Sequence, residues 1–367
     1  MKKSVLSIAL AGIIFSTGSF AAGLGLSQIG TAESVATAGA AGVTNNRDAS
    51  ATITNAAGLS GISDNSTVIG IQYLNVGNEF ERDNDDATSK GESDLFMPHL
   101  SYAQRLNEEW VVGISAHSAG GLGMEYSNGL TGGAGNKSLV DSNMIAIMNL
   151  TTSAAYQVNE QLSLGGSLIA QYATVKSEFS GLNNHEIKDD NWAPSFALSA
   201  MYQLNETTHL GMTYNYGAKH ELDMDGFGIV DLNWPQMVEI GVQHQLTDDL
   251  AIMANANWQQ WSRFGDDYKD TYGVGVALSY QLQDWTLQTG ASIDSSPLDA
   301  NNRGHALPLD QQWRVGFGGH KTLSNGMVLG LAYQYQSLGN AEITNHGLTD
   351  GYYENNRVHF ITGSLSF

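Results

Sequence analysis

The last eleven residues, Arg357 to Phe367, read R-V-H-F-I-T-G-S-L-S-F and decide the fold. Within them, Ile361, Leu365 and Phe367 occupy one register. Because alternate side chains of a strand point to opposite faces, the segment predicts a β-strand with one mainly apolar face. A bare strand at the edge of a soluble sheet is an aggregation hazard, whereas a closed barrel pairs its last strand with its first. The segment therefore favours a closed transmembrane barrel.

The composition fits one barrel and excludes other classes of protein. The 367 residues include 42 glycines and no cysteine, and only 14% are charged. Mean hydropathy is −0.20, and no apolar run reaches the ~18 residues that a membrane-spanning helix needs. Without cysteine no disulfide or thiolate metal site forms, and we expect neither a metal nor another cofactor. The formal net charge of −21 repels phosphate, which excludes a nucleic-acid partner.

Residues 1–21 predict a secretory signal peptide. Lys2 and Lys3 precede a short apolar core, and Ser19-Phe20-Ala21 fits the small-x-small cleavage rule. The alternative is an N-terminal membrane anchor, for which the apolar stretch is short.

The sequence of residues 22–65 predicts a hatch, that is, a plug inside the barrel, and the sequence of residues 66–367 predicts the barrel itself. Gly23 to Ser63 is rich in Ala, Gly, Ser, Thr and Asn, with a short helix expected within Ser27 to Ala41. A segment with so few large apolar residues cannot build its own core. We therefore expect it to fill the barrel lumen, and the alternative is a disordered tail.

Fourteen alternating segments follow the hatch, and six short turns separate them at one end. In one segment Tyr272, Val274 and Val276 alternate with small residues, so we expect apolar side chains outside and small or polar ones inside. The segments are about 66–79, 94–106, 109–118, 143–157, 161–178, 192–204, 207–221, 234–246, 249–261, 271–282, 285–294, 311–321, 326–337 and 357–367. The short turns are expected to face the periplasm and the seven longer loops the outside. The sequence thus predicts an all-β fold, a 14-stranded antiparallel transmembrane β-barrel with an N-terminal, partly helical hatch plugging the lumen.

Aromatic residues near both ends of the strands predict the girdles of a membrane barrel. Near the turns they are Trp110, Tyr156, Tyr202, Tyr280 and Trp285, and near the strand tops Trp258, Trp261, Trp313 and Tyr335. The densest acidic loop is expected at Glu79 to Asp94. Its carboxylates either hold divalent cations that bridge to lipopolysaccharide or form a solvated surface.

Motifs in the hatch and barrel resemble the FadL family of outer-membrane channels for long-chain fatty acids, aromatic hydrocarbons and other hydrophobic molecules. Asn55, Ala56, Ala57, Gly58 and Leu59 match its Asn-Pro-Ala-Gly-Leu hatch motif, with Ala56 in place of the proline. Further matches follow in order along the chain, from Asp48-Ala49-Ser50-Ala51-Thr52 in the hatch through Trp258-Gln259-Gln260-Trp261-Ser262-Arg263-Phe264 to Leu307-Pro308.

The resemblance implies a passive route for hydrophobic molecules. They would meet an apolar groove between loops 118–142 and either 178–191 or 221–234, pass a lumen gated by the hatch, and leave through a lateral opening. The groove residues are Leu122, Met124, Tyr126, Leu130, Phe227, Ile229 and Val230, whose alternative role is to pack together as a cap. The opening is placed at Gly113, Gly120, Gly121 and Gly123. Candidate partners of a substrate carboxylate are Arg303, Arg314, Lys219 and Lys176, whose alternative is solvation or ion pairing within the wall.

The expected partners are a fatty acid or hydrocarbon, outer-membrane lipid and lipopolysaccharide, and the chain is expected to be a monomer in the bacterial outer membrane. The strand ending in Phe367 resembles the signal that the outer-membrane assembly machinery reads. We expect no enzymatic activity, since the ten histidines show no triad spacing. The sequence also leaves open a general porin and an adhesin or structural barrel that transports nothing.

Overall fold

A computed structural model describes residues 30–83, 88–131, 138–179, 185–224, 228–304, 308–344 and 350–367. The predicted signal peptide lies outside these ranges. No helix of the described residues is long and apolar enough to cross a membrane.

The described part of the chain forms a closed barrel of fourteen antiparallel strands. Its strands are β1 (Asn65–Arg82), β2 (Thr88–Arg105), β3 (Trp110–Thr131), β4 (Ser138–Gln157), β5 (Leu162–Phe179), β6 (His185–Asn205), β7 (Thr208–Asn215), β10 (Met237–Gln245), β11 (Leu250–Gln259), β12 (Thr271–Leu282), β13 (Trp285–Asp294), β14 (Gln312–Thr322), β15 (Val328–Ser337) and β16 (Gly351–Ser366). Two further strands, β8 (Lys219–Met224) and β9 (Gly228–Asn233), form a separate hairpin. The barrel closes where β1 pairs with β16, in a register that places Val68 opposite Ser366. The predicted fold class is confirmed, including the pairing of the last strand with the first.

Apolar side chains cover the outside of the barrel. On β12, Tyr272 and Val274 are 64% and 57% exposed, whereas inward-facing Ala277 is 3% exposed. The same alternation recurs on other strands and gives the barrel a lipid-compatible surface. Trp261 is an exception to the predicted girdles. It is fully buried in a 3₁₀ turn (Trp261–Arg263) and stabilises the loops instead.

Strands β1 to β4 and β6 are longer than predicted, whereas β5 has its predicted length, so that all six are long. They contain 18 to 22 residues, against 8 for β7 and 10 for β15. A barrel strand crosses the bilayer with ~9–11 residues. The surplus therefore extends the strands by about 25–40 Å at ~3.3 Å per residue, on the side away from the tight turns.

This extension corrects several predicted loop boundaries. Most of 79–94, 118–142 and 178–191 is strand, because β1 to β6 continue into these segments. The acidic segment therefore lies largely on paired strands. The predicted strand 207–221 ends at Asn215, and residues 221–234 mostly form the β8–β9 hairpin.

Buried apolar side chains fill the long-loop end of the molecule. We call the part contributed by the loops and the hairpin the apolar cap. It comprises Leu222, Leu232, Trp261, Phe264, Tyr268, Leu298, Leu309, Leu338 and Ile343. It is continuous with inward-facing residues of the extended strands, among them Phe80, Met97, Ile145, Ile147 and Val175. The interior of the barrel is thus lined by apolar side chains at this end.

Candidate functional site

The hatch occupies the lumen at the short-turn end of the barrel. Its described part contains α1 (Ala32–Ala36), α2 (Ala51–Thr54) and two 3₁₀ turns, Gly42–Thr44 and Ala56–Gly61. Thr31 caps α1 by accepting a hydrogen bond from the Ser34 amide at 3.1 Å. So many Ala, Gly and Thr residues leave the hatch narrow enough to fit inside the wall.

The predicted hatch motif anchors the plug to the barrel. Asn55 Nδ2 donates to the Val43 carbonyl at 2.6 Å and to the Ala200 carbonyl of β6 at 3.4 Å, while its Oδ1 accepts from the Ala57 amide at 3.1 Å. The Ala57 amide also donates to Ser199 Oγ at 2.9 Å. Asn55 and Ala56 are 1% and 5% exposed, so both lie inside the barrel.

Glycines of the wall let the hatch backbone approach closely. A Cβ at Gly290 would stand 2.5 Å from the carbonyl carbon of Thr37, and one at Gly316 would stand 2.9 Å from the Ala36 carbonyl oxygen. Both separations are shorter than real Cβ contacts. The wall glycines at which an added Cβ would stand under 3.0 Å from the hatch are Gly113, Gly165, Gly211, Gly241, Gly290, Gly316 and Gly330. They lie on β3, β5, β7, β10, β13, β14 and β15, so the plug is held around much of the circumference.

The wall is interrupted between β2 and β3. These strands pair from Arg105 opposite Val111 up to His99 opposite His117, and then again only at Glu92 opposite Glu125. We call the intervening segments, 93–98 of β2 and 118–124 of β3, the wall break. Pro98 within it has no amide proton to donate. The backbones on the two sides therefore part for about seven residues.

One of the four glycines predicted for a lateral opening lies outside the wall break. Gly113 lies opposite Ala103 in the intact ladder. A Cβ there would stand 3.4 Å from Leu59 Cδ1 of the hatch, so Gly113 serves the plug. Gly120, Gly121 and Gly123 do lie within the break, and their role in passage stays a prediction.

No sequence pattern singled out Met97, a residue of the wall break whose side chain points into the barrel. It is 8% exposed and belongs to the oily interior. A Cβ on Gly121 would lie 3.3 Å from Met97 Cε and 3.1 Å from the Ile145 carbonyl oxygen. The flexible methionine side chain therefore packs close to Gly121, across the break and inside the barrel. A lone methionine in a strand carries no sequence signal for this position.

The groove prediction falls mostly outside what the structure describes. Phe227 and the side chains of Leu122, Met124, Tyr126, Leu130 and Val230 lie outside the described residues. Ile229 on β9 is 71% exposed. Leu222 and Leu232 of the same hairpin are buried in the apolar cap, which agrees with the packing alternative, and the groove stays a prediction.

Of the four predicted carboxylate partners, Arg303, Arg314 and Lys176 already have carboxylates beside them. Arg314 pairs with Asp294, and both are buried. Lys176 lies 2.5 Å from Glu178 Oε1 and 3.5 Å from Glu186 Oε2. Lys219 is exposed on the hairpin. The ion-paired alternative therefore describes Arg314 and Lys176.

Arg303 binds loop backbone instead of an open site. Its guanidinium donates to the carbonyls of Leu309 at 2.9 Å and Leu298 at 3.0 Å, and lies 3.2 Å from Asp310 Oδ1. Burial lowers the pKa of Arg303, while Asp310 opposes that shift. The residue fastens the loops under the apolar cap.

Comparison with known proteins gives the class of this barrel. Residues 12–362 match the protein family described as "Outer membrane protein transport protein (OMPP1/FadL/TodX)". The chain belongs to this family. The predicted resemblance and the outer-membrane location are confirmed.

A curated relative and several solved structures resemble the chain. The long-chain fatty acid transport protein of Salmonella typhi is 25% identical over 284 residues, covering 59% of this chain and 64% of that protein. The chain thus spans less than two thirds of this relative.

The structural likeness covers nearly the whole fold. A Pseudomonas aeruginosa FadL homologue has a TM-score of 0.82 at 16% identity, over 94% of this chain and 99% of that one. The P. putida toluene transporter TodX has a TM-score of 0.69 at 17% identity, over 92% and 98%. The Ralstonia pickettii toluene transporter TbuX has a TM-score of 0.68 at 14% identity, over 92% and 98%. At such identities the likeness shows the fold alone.

Proposed function

We propose that the protein is a passive channel that takes up hydrophobic molecules, most of all long-chain fatty acids, and releases them sideways through the wall break. The observation that carries the proposal is the interruption between β2 and β3 within an otherwise paired barrel. Aromatic and aliphatic hydrocarbons are the alternative substrates by the same route. The relatives support both, since one is named for fatty acids and two for toluene.

The interior supports a route from outside to the break. The apolar cap and the inward faces of the extended strands form one buried apolar cluster that includes Met97. An oily molecule gains free energy by entering such surroundings from water. In this proposal the ligand collects at the cap, moves along the cluster, and reaches the bilayer after Met97 changes rotamer.

The hatch supports the sideways exit. Backbone contacts at the glycines and the Asn55 hydrogen bonds hold the plug across the short-turn end. A passage straight through requires these contacts to break, whereas the wall break requires only local side-chain movement. Hatch rearrangement then gates access to the periplasm. We propose that outer-membrane lipid receives the ligand, that the chain acts as a monomer, and that the assembly machinery recognises the Phe367 end.

Cross-linking across the wall break tests the route. The chain has no cysteine, so Met97→Cys and Gly121→Cys place the only two thiols on opposite sides of the break. We expect a short bis-thiol reagent to abolish uptake of labelled fatty acid into cells or proteoliposomes. The matched control is Ser101→Cys with Ser115→Cys, a rung of the intact ladder just below.

Two results would contradict the proposal. One is undiminished uptake after quantitative cross-linking at positions 97 and 121. The other is an equal loss of uptake in the control, which would point to general damage to the barrel. Absence of any uptake by the parent protein would favour an adhesin or structural barrel.

A further inference from the structure

A polar cavity lies in the lumen between the hatch and the wall formed by β3 to β7. Its volume is about 50 Å³, enough for about three water-sized groups. Thr54 and Asn55 of the hatch face wall residues that include His117, Asn149, Thr151 and Thr213. The cavity is therefore polar, although the cluster above it is oily.

The lining of the lumen changes from apolar to polar side chains at one level of the barrel. Along β4, inward-facing Ile145 and Ile147 belong to the apolar cluster, and the next inward residues, Asn149 and Thr151, line the cavity. His117, which also lines the cavity, forms the last paired rung before the wall break. The cavity thus lies next to the break, on its hatch side.

Three buried polar groups of the cavity have unused hydrogen-bonding capacity. His117 Nδ1, Thr151 Oγ1 and Thr213 Oγ1 have no hydrogen-bond partner among the described residues. Their residues are 4%, 2% and 3% exposed. Buried polar groups are normally satisfied, and leaving them without a partner is destabilising. Such a cluster fits a binding site in which the ligand supplies the missing hydrogen-bond partners.

The cavity carries no charged side chain to balance an ionised ligand. Of the described residues that line it, none is Asp, Glu, Lys or Arg. The basic residues Arg303, Arg314 and Lys176 are engaged elsewhere by carboxylates or carbonyls. A bare carboxylate would therefore be buried without a cation, which is strongly unfavourable.

We propose that this cavity binds the uncharged polar head group of an amphiphile, such as an alcohol or an unionised carboxylic acid. The Thr151, Thr213 and His117 side chains turn toward the cavity when the ligand enters, and the head group then satisfies the two hydroxyls and the imidazole. The hydrocarbon tail extends past Met97 through the wall break into the bilayer. The placement of the tail rests on the proposed function, whereas the head-group site is a binding property that is measured separately.

Paired threonine variants test the site. Thr151→Val with Thr213→Val removes both hydroxyls at nearly unchanged volume, and Thr152→Val is the matched control because Thr152 is the exposed neighbour on the same strand. Binding of labelled dodecan-1-ol, dodecane and dodecanoate at pH 8 is measured on protein in nanodiscs, with protein-free nanodiscs subtracted. We expect the parent protein to bind dodecan-1-ol about tenfold more tightly than dodecane, which corresponds to one or two hydrogen bonds.

The double variant should lose about tenfold in affinity for dodecan-1-ol and nothing for dodecane. Its melting temperature should stay equal or rise, because two unsatisfied buried hydroxyls are gone. A structural role for these hydroxyls would lower the melting temperature and leave the affinities unchanged. Equal affinities of the parent protein for the alcohol and the alkane, or tighter binding of dodecanoate, would overturn the head-group site. Either result leaves the cross-linking test of passage unaffected.

Discussion

Replacement of Gly165 by alanine would measure how firmly the hatch is held. An alanine Cβ at this position would stand 2.6 Å from the carbonyl carbon of Ala56 and 2.6 Å from Ser199 Oγ. The hatch must retreat, because β5 is fixed by ladders on both sides. Overpacking of this kind costs about 1–3 kcal/mol. Retreat also disrupts the hydrogen bond from the Ala57 amide to Ser199 Oγ, at 2.9 Å, for about 1 kcal/mol more.

The sum predicts that the docked hatch loses about 2–4 kcal/mol relative to an undocked one. That change raises the opening constant of the hatch by roughly 30- to 1,000-fold. Amide hydrogen exchange of residues 30–63 in detergent measures it directly. Exchange in the barrel strands should stay as in the parent protein.

Gly166→Ala is the matched control on the neighbouring residue. Its Cβ would meet only the Ala197 carbonyl oxygen, at 3.9 Å, and an alanine is favoured over glycine in a strand by about 0.5–1 kcal/mol. This variant should therefore exchange its hatch amides no faster than the parent protein. Equal hatch exchange in the two variants would refute the idea that close backbone contact at the glycines holds the plug.

Four further changes have defined outcomes. Ala56→Pro should stabilise the hatch by about 0.4–1 kcal/mol, since Ala56 begins a 3₁₀ turn and Asn55 before it is extended (φ −159°); faster hatch exchange would contradict this. Arg303→Ala should destabilise the loops by about 1.5–3 kcal/mol through loss of its hydrogen bonds to loop carbonyls and expose residues 296–304 to protease, whereas Lys219→Ala on the exposed hairpin should have little effect. Trp261→Ala should lower the melting temperature through a loss of about 3–5 kcal/mol in the apolar cap, and an unchanged transition would place the tryptophan outside the core. Burial lowers the pKa of His220, so the hairpin is most stable above the unfolded value of about 6.5 and loosens as pH falls below it; proteolysis of residues 216–236 should rise on acidification in the parent protein and not in His220→Gln.

The number of barrel strands and their outward faces were predictable from sequence, because lipid contact imposes an alternation of period two. On β12 the run from Tyr272 to Leu282 shows it directly. The extensions of β1 to β4 and of β6 were not predictable, whereas the length of β5 was. Beyond the bilayer the outward face no longer needs apolar residues, so 118–131 with its glycines resembles a loop. Backbone pairing with β4 is nevertheless retained there.

The hatch position was predictable and the wall break only partly so. Small residues marked the plug, since a segment that cannot form a core requires one supplied by the barrel. Glycine alone could not separate Gly113 from Gly121, because a Cβ would be crowded at both positions. At Gly113 it would clash with the hatch, and at Gly121 it would lie 3.1 Å from the Ile145 carbonyl oxygen and 3.3 Å from Met97 Cε. The partners of Arg303 and Arg314 were equally hidden, since they come from segments distant in sequence or from backbone carbonyls.

The glycine contacts around the plug also constrain the order of biogenesis. Residues 30–63 touch strands from β3 to β15, and α1 lies against β14, β15 and β16 beside the junction of the two terminal strands. We therefore expect the amino-terminal residues to be in place before β16 pairs with β1. A chain without the hatch would have to close its barrel around an empty lumen.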